Sequence, residues 1–364
     1  MTKLQLQGLK AEDVFTSDQV LLDTDSSGKV RDWAGKKVRN ELLAAAYDEI
    51  DKTKAARLRD CGKFLRYRKY PDGTMQLDAM TSCRVRLCPI CTWRRSLKIY
   101  AQMREILDVL SQESDFRYVM LTLTVRNCDG DGLVDTIDRM TSGWKNFTSL
   151  EPVKRVCKGW YRSLEIVHDV YPIITREMYY GDSDKHIKRR KPFYDAHGFK
   201  IGDPNPNYNT YHPHFHVLIA VSKSYFKSRD YLCQKAWAEL WQQSLRADYE
   251  PRVDVRCVAG NTMNDINKAV CEVAKYACKD SDYIVPDDWD LTVGTVRLLD
   301  RALHNRRLVA FGGVLKDTKR RLKLDDVEDG DLVHVGDDME VKEEEFIYVC
   351  YWWYSGYKQY YEIT

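Results

Sequence analysis

The sequence predicts an α+β fold, a layer of antiparallel strands backed by helices, with a cysteine-bearing module before it and an extension after it. Three observations predict this. Between residues 117 and 278, short β-rich runs alternate with helical periodicities. Their order reads β-α-β-β-α-β-α, that of a split βαβ, ferredoxin- or RRM-like layer. Cysteines cluster ahead of that region, and an aromatic-dense tail closes the chain. With 364 residues, 44% hydrophobic and 12% aromatic, the chain can bury one large core or two modest ones.

Taken in order, residues 1–55 form a polar opening and an amphipathic helix. In that helix Val38, Leu42, Ala46 and Ile50 recur every four residues and predict the buried face. Residues 56–110 make a basic module with a second helix from Arg94 to Leu110. Residues 111–285 carry the main layer. Arg117–Val125 is rich in β-formers and reads as a buried strand. Leu133–Phe147 follows as a helix, then strands at Tyr161–Val167 and His212–Val221. A helix at Asp230–Leu245 buries Trp237, Leu240, Trp241 and Leu245, and a strand at Arg252–Val258 leads to a helix at Met263–Cys278. Between the second and third strands, residues 169–211 are too long for a hairpin and read as an exposed, extended insertion. Residues 286–364 add a basic segment, an acidic stretch from Asp325 to Glu345, and the tail Phe346–Tyr361, whose composition suits a hairpin packed on the protein or on a second copy of it.

Charge and composition exclude several classes. No run approaches the roughly 20 apolar residues of a membrane span, and the amino terminus lacks a signal-peptide core, so the chain reads as cytoplasmic. Net charge is only +2, but basic clusters at Arg57–Lys69, Arg94–Lys98, His186–Lys191 and Arg301–Lys323 are offset by the acidic stretch. Such a chain can still bind phosphate locally. Eleven cysteines, an odd number, argue against a disulfide framework and for metal ligation where they cluster.

The most informative run is His212-Pro213-His214-Phe215-His216-Val217-Leu218. Side chains alternate along a strand, so the three histidines share one face while Phe215 and Val217 point into the core. Imidazoles two residues apart can chelate one divalent ion. Glu165, between Leu164 and Ile166, is the candidate third ligand on an adjacent strand. Mixed imidazole and carboxylate donors suit Mn²⁺ or Mg²⁺ acting on phosphate, with Zn²⁺ as an alternative. Separately, Cys83-x4-Cys88-Pro-Ile-Cys91 with Cys61 offers four thiolates for a structural zinc, placed to present Arg94, Arg95 and Lys98 to DNA. Lys188, Arg189 and Arg190 form a second basic run expected at DNA.

On the last helix Glu272 and Tyr276 are four apart and emerge on one face, within about 5–6 Å at Cβ. Tyr276 is a candidate nucleophile, Glu272 a group to activate water, and Lys279 a partner for phosphate charge. Tyr283, seven residues on, is a rival nucleophile.

Together these segments resemble the rolling-circle plasmid replication initiators of the HUH endonuclease superfamily. Leu121-Thr122-Leu123-Thr124 is similar to the family's first motif, and His212–His216 matches its His-hydrophobic-His motif with the extra His-Pro of this branch. Glu272, Lys275 and Tyr276 match the subgroup that sets a glutamate one turn before a single tyrosine. Arg306–Asp317 and Cys83–Lys98 resemble further family blocks. The resemblance implies an HUH fold in a bacterial cytoplasmic protein that nicks plasmid origin DNA, single-stranded or cruciform at the nick site. A 5′-phosphotyrosine and a free 3′ hydroxyl would result, with host helicase and polymerase as partners and a homodimer as one arrangement. A related transposase or relaxase, and a non-enzymatic module with an RRM-like sheet and a zinc knuckle, are the competing readings.

Overall fold

The structure, a computed structural model, describes residue 16 and residues 19–182, 189–258, 270, 278–285, 287–338 and 344–363. The chain enters through α1 (Trp33–Asp48), capped by Asp32, whose carboxylate accepts from Gly35 N at 2.9 Å. Its buried residues are Trp33, Lys37, Asn40, Leu43, Ala44, Ala46 and Tyr47. Of the expected stripe, Ala46 is buried and Val38 and Ile50 are half-buried against the core, while Leu42 stands 43% exposed. The reason is polar: Lys37 and Asn40 turn inward to serve carbonyls and a thiol below, a choice invisible to a hydrophobic count. α2 (Lys52–Asp60) follows, capped by Asp51, and then β1 (Phe64–Lys69) and β2 (Met75–Met80) pair as a hairpin.

α3 (Pro89–Glu113) begins earlier than its expected start at Arg94, because Cys88 occupies the N-cap and Pro89 the first turn. Arg94, Arg95 and Lys98 lie on its buried side, at 0%, 1% and 4% exposure. Arg94 donates to the carbonyls of Leu332 and Val333 and to Asp338 Oδ2 at 2.9 Å. Arg95 faces Glu328, and Lys98 donates to Asp325 and to Asp331 O. The expectation that these three meet DNA phosphate is thus corrected. They bind the acidic stretch of the same chain, since buried cations need buried partners.

The central layer is β3 (Arg117–Thr124), α4 (Leu133–Ser149), α5 (Glu151–Val156), β4 (Gly159–His168), α6 (Arg176–Tyr180), α7 (Lys191–Ala196), β5 (Tyr211–Val221), α8 (Gln234–Leu245), β6 (Val253–Cys257), α9 (Trp289–Leu303), β7 (Val309–Gly312) and α10 (Gly313–Arg321). Its five strands run antiparallel in the order β6-β3-β5-β4-β7. β3 and β4 are thus parallel with β5 inserted between them, the expected split βαβ layout. β7 lengthens the sheet by a strand that the periodicities did not announce. Gly313 permits the turn from β7 into α10: its φ is +54°, and an added Cβ would sit 2.3 Å from Lys158 O.

One face of this sheet carries an aromatic core. Phe215 lies edge-on to Trp144 and Trp241, and Phe147 meets Trp237 and Trp241. α8 starts at Gln234 rather than Asp230, buries Trp237, Trp241 and Leu245, and leaves Leu240 half-buried at its edge. The insertion is folded rather than extended: α6 and α7 close a small core of Ile174, Met178 and Tyr194. The helix expected at Met263–Cys278 falls outside the described residues except for Val270 and Cys278, both buried.

The tail does form a hairpin, β8 (Ile347–Tyr354) and β9 (Gln359–Ile363), and it packs on its own chain. β8 pairs with β1, giving a second sheet in the order β2-β1-β8-β9. Val349, Tyr351 and Trp353 alternate inward, as period two requires. Among the described residues no helix is long and apolar enough to cross a membrane.

Candidate metal centre

The open face of the central sheet is built by register. Glu165 on β4 and Thr124 on β3 both sit opposite His214 on β5, and Ser163 and Thr122 both sit opposite His216. Phe215 and Val217 face the core, so the histidines must face the other way. There, Glu165 Oε2 lies 2.6 Å from His216 Nε2 and 3.3 Å from His214 Nε2, and the two Nε2 atoms are 3.2 Å apart. Nitrogens held at about 2.1 Å by one ion are separated by about 3 Å, so the donor spacing fits a single metal.

His214 Nδ1 lies 3.1 Å from the carbonyl of His212, an N–H···O contact that leaves Nε2 free to ligate. Burial pushes Glu165 up, but hydrogen bonds and charge from His214 and His216 outweigh it and hold its carboxylate well below the usual range. His212, expected as a ligand, is not among the converging donors. It stacks on His214 at 5.2 Å, and burial with the neighbouring imidazole pushes its pKa down to about 4. The strand's pleat explains the correction. His212 shares the face but sits one step beyond the point where Glu165 crosses.

These donors line a cleft of about 1030 Å³. Three ligands on one side leave coordination positions open toward the cleft, the pattern of a catalytic rather than a structural site. Lys279 and the turn Asp280–Asp282 form another wall. That turn is held by His168, whose Nδ1 lies 3.1 Å from Asp282 O and whose Nε2 lies 3.0 Å from Asn209 Oδ1. Tyr276, Glu272 and Lys188 lie outside the described residues. Tyr283, the rival nucleophile, is 1% exposed, and its hydroxyl donates to Leu87 O at 2.5 Å. Burial drives its pKa well above the ordinary phenol value.

Arg189 and Arg190 both line the cleft, Arg189 exposed and Arg190 paired with Asp169. The reading of the sequence missed Arg252, an exposed cleft residue on the approach to β6 whose carbonyl accepts from Thr124 N, which puts it level with His214. The alternation Arg252-Val253-Asp254-Val255-Arg256 carried that signal.

A second group is closed. Cys61, Cys83, Cys88 and Cys91 bring their sulfurs together, with Sγ–Sγ distances of 3.5, 3.6 and 3.8 Å, and all four are buried. Thiolates at about 2.3 Å from one tetrahedral ion would stand about 3.8 Å apart. Neighbouring thiols hold Cys61 well above the ordinary thiol range and burial does the same to Cys83, while hydrogen bonds from the other thiols hold Cys91 well below it. Asn40 Nδ2 donates to Cys88 Sγ at 3.2 Å, while Lys37 Nζ donates to the carbonyls of Arg59 and Cys61, each at 2.7 Å.

The family model described as Replication protein matches residues 74–361. A "Protein rep" of Bacillus amyloliquefaciens is 34% identical, covering 94% of this chain and 96% of its own. A "Protein rep" of Lactiplantibacillus plantarum is 33% identical over 90% of this chain and 93% of its own, and a "Replication protein" of Staphylococcus aureus is 29% identical over 68% and 91%. No solved structure gives a significant match. With the family match spanning most of the chain, including Glu165, His214 and His216, this protein belongs to the replication protein family.

Proposed function

We propose that the chain is a plasmid rolling-circle replication initiator, a metal-dependent DNA-nicking enzyme of the HUH type. The observation that carries this reading is the convergence of Glu165 Oε2, His214 Nε2 and His216 Nε2 in an open cleft of a replication protein. A divalent ion on these donors, Mn²⁺ or Mg²⁺, supplies Lewis-acid polarisation of the scissile phosphate. Tyr276 is the nucleophile. Its oxygen bonds to phosphorus as the phenolic proton is lost, the bond from phosphorus to the 3′ oxygen breaks, and that oxygen leaves with a proton as a 3′ hydroxyl. The phosphate stays on Tyr276 at the 5′ end, keeping the bond's energy for rejoining. Host polymerase extends the 3′ end while a host helicase opens the duplex.

Support for Tyr276 comes from its neighbour in sequence. Lys279, three residues on, lines the cleft, and three residues span at most about 11 Å. Lys279 offers a cation to phosphate. Glu272 takes the proton of the water that ends a round, which removes the need for a second tyrosine. Zinc on Cys61, Cys83, Cys88 and Cys91 is structural, because four protein ligands leave no open position.

The test is incubation with a supercoiled plasmid carrying the chain's own origin, with Mn²⁺, followed by mass spectrometry of the adduct. We expect a nicked circle, a 5′ adduct on Tyr276, and none with Tyr276→Phe or EDTA. An adduct on another residue overturns the assignment. Preference for transposon ends favours a transposase instead.

A further inference from the structure

The insertion between β4 and β5 is not absorbed by the chemistry above, yet it forms one wall of the same cleft. Tyr171, Met178, Arg189, Arg190, Pro192 and Phe193 line it together with Glu165 and the histidines. Two of these are large apolar rings left in water, Tyr171 at 43% and Phe193 at 39% exposure. Leaving aromatic rings exposed beside a charged cleft forfeits burial energy that the insertion's own small core could have used.

Their backbone is tied to the strand that carries Glu165. Asp169, next to the last residue of β4, accepts from Arg190 and from Asn205 Nδ2 at 2.9 Å, and Asn205 Nδ2 also donates to Tyr171 O at 2.8 Å. Arg190 N donates to Met178 O at 2.9 Å. One latch thus fixes α6, the start of α7 and the strand carrying Glu165 relative to each other.

Charge in the cleft is arranged for a phosphate chain. Four of the five acids lining the cleft face a cation or an imidazole: Glu165 the histidines, Asp169 Arg190, Asp254 Arg256 at 2.7 Å, and Asp280 Arg39 at 2.5 Å, while Asp282 accepts from Lys279 N at 3.2 Å. Arg189 on the insertion side and Arg252 on the edge-strand side are exposed into it. β6 lies two strands from β5, about 10 Å at ordinary strand spacing, within reach of a neighbouring phosphate for an arginine side chain.

We infer that the insertion is a base-stacking clamp for single-stranded DNA, with Tyr171 and Phe193 taking unpaired bases next to the scissile phosphate and Arg189 and Arg252 holding the backbone on either side of the metal donors. Stacking on aromatic faces with arginine at phosphates is the recurrent chemistry of single-strand binding. A duplex hides its base faces and gains nothing from such rings. This inference rests on the proposed nicking function for its biological setting, but its test does not.

The test is fluorescence anisotropy of the full chain with a labelled oligonucleotide, single-stranded and as duplex, without added Mn²⁺ or Mg²⁺, alongside quenching of 2-aminopurine placed at successive positions. We expect the Tyr171→Ala, Phe193→Ala double variant to lose roughly tenfold or more in single-strand affinity, to lose 2-aminopurine quenching, and to keep its duplex affinity. Tyr171→Phe should retain quenching. Arg189→Gln should weaken binding while lowering the salt slope by about 0.7, as one lost phosphate contact does on a single strand. Unchanged single-strand affinity, or an equal loss on duplex, overturns the clamp. Binding is read without the divalent ion, so an adduct that forms in the separate Mn²⁺ assay despite ring-independent binding sinks the clamp alone. Ring-dependent binding without any adduct sinks the nicking reading alone.

Discussion

The cleft of Glu165, His214 and His216 and the cluster of Cys61, Cys83, Cys88 and Cys91 are two answers to one problem, that of gathering charged ligands in a protein interior. The cysteines are joined from a helix end, a loop and the first turn of α3, and all four are buried within 4.8 Å of one another. The histidines and glutamate come from two adjacent strands, and their site opens onto a cleft of about 1030 Å³. The difference lies in closure. Four thiols around one point leave an ion nothing to bind but protein, whereas three donors on a pleated sheet leave it room for substrate. The two are also linked through the chain. Tyr283 reaches Leu87 O beside Cys88, and Arg39 on α1 pairs with Asp280 at the cleft wall.

That contrast can be broken most forcefully at the cysteines. Cys88→Ser with Cys91→Ser should destroy the fold of residues 56–110, seen as rapid proteolysis there and loss of bound zinc by mass spectrometry. Structural zinc in small domains is worth about 10–16 kcal/mol. Protease resistance retained without zinc would put the cluster in the class of ordinary buried thiols. The mirror experiment is His214→Ala with His216→Ala. Nicking should fall by about 10³-fold or more, since metal polarisation supplies several kcal/mol, while circular dichroism and melting stay near wild type. A large loss of melting temperature would make the cleft a structural site as well.

Smaller effects sharpen the comparison. Arg94→Gln removes one partner of the fully buried pair with Asp338 and should cost about 3–5 kcal/mol in urea unfolding. The salt dependence of DNA binding should not change, and a reduced slope would restore Arg94 to the DNA surface. Lys37→Met should be milder still, lowering zinc affinity about 10–100-fold in a chelator competition, as loss of an outer contact to a metal ligand does. Unaltered affinity would mean that Lys37 serves only the carbonyls of Arg59 and Cys61.

The sequence by itself determined the parts whose chemistry is local. Alternation in the run from His212 to His216 placed the histidines on one face and Phe215 and Val217 in the core, and spacing marked Cys83, Cys88 and Cys91 as a group. Segment order also determined the split βαβ layer, because each strand and helix keeps its own period whatever lies across from it. Glu165 was legible for the same reason, since Leu164 and Ile166 fix its face. Tertiary structure decided what depends on partners far away in the chain. Arg94, Arg95 and Lys98 read as a DNA-binding run until the stretch from Asp325 to Asp338 closed over them. The tail's aromatics found β1, the insertion folded around its own small core, and Leu42 was turned outward so that Lys37 and Asn40 could reach the cysteine cluster. A charge or ring in a sequence carries no record of its eventual partner. Whether it meets water, DNA or another part of the chain is settled by contacts hundreds of residues away, where burial makes an unpaired charge too costly to keep.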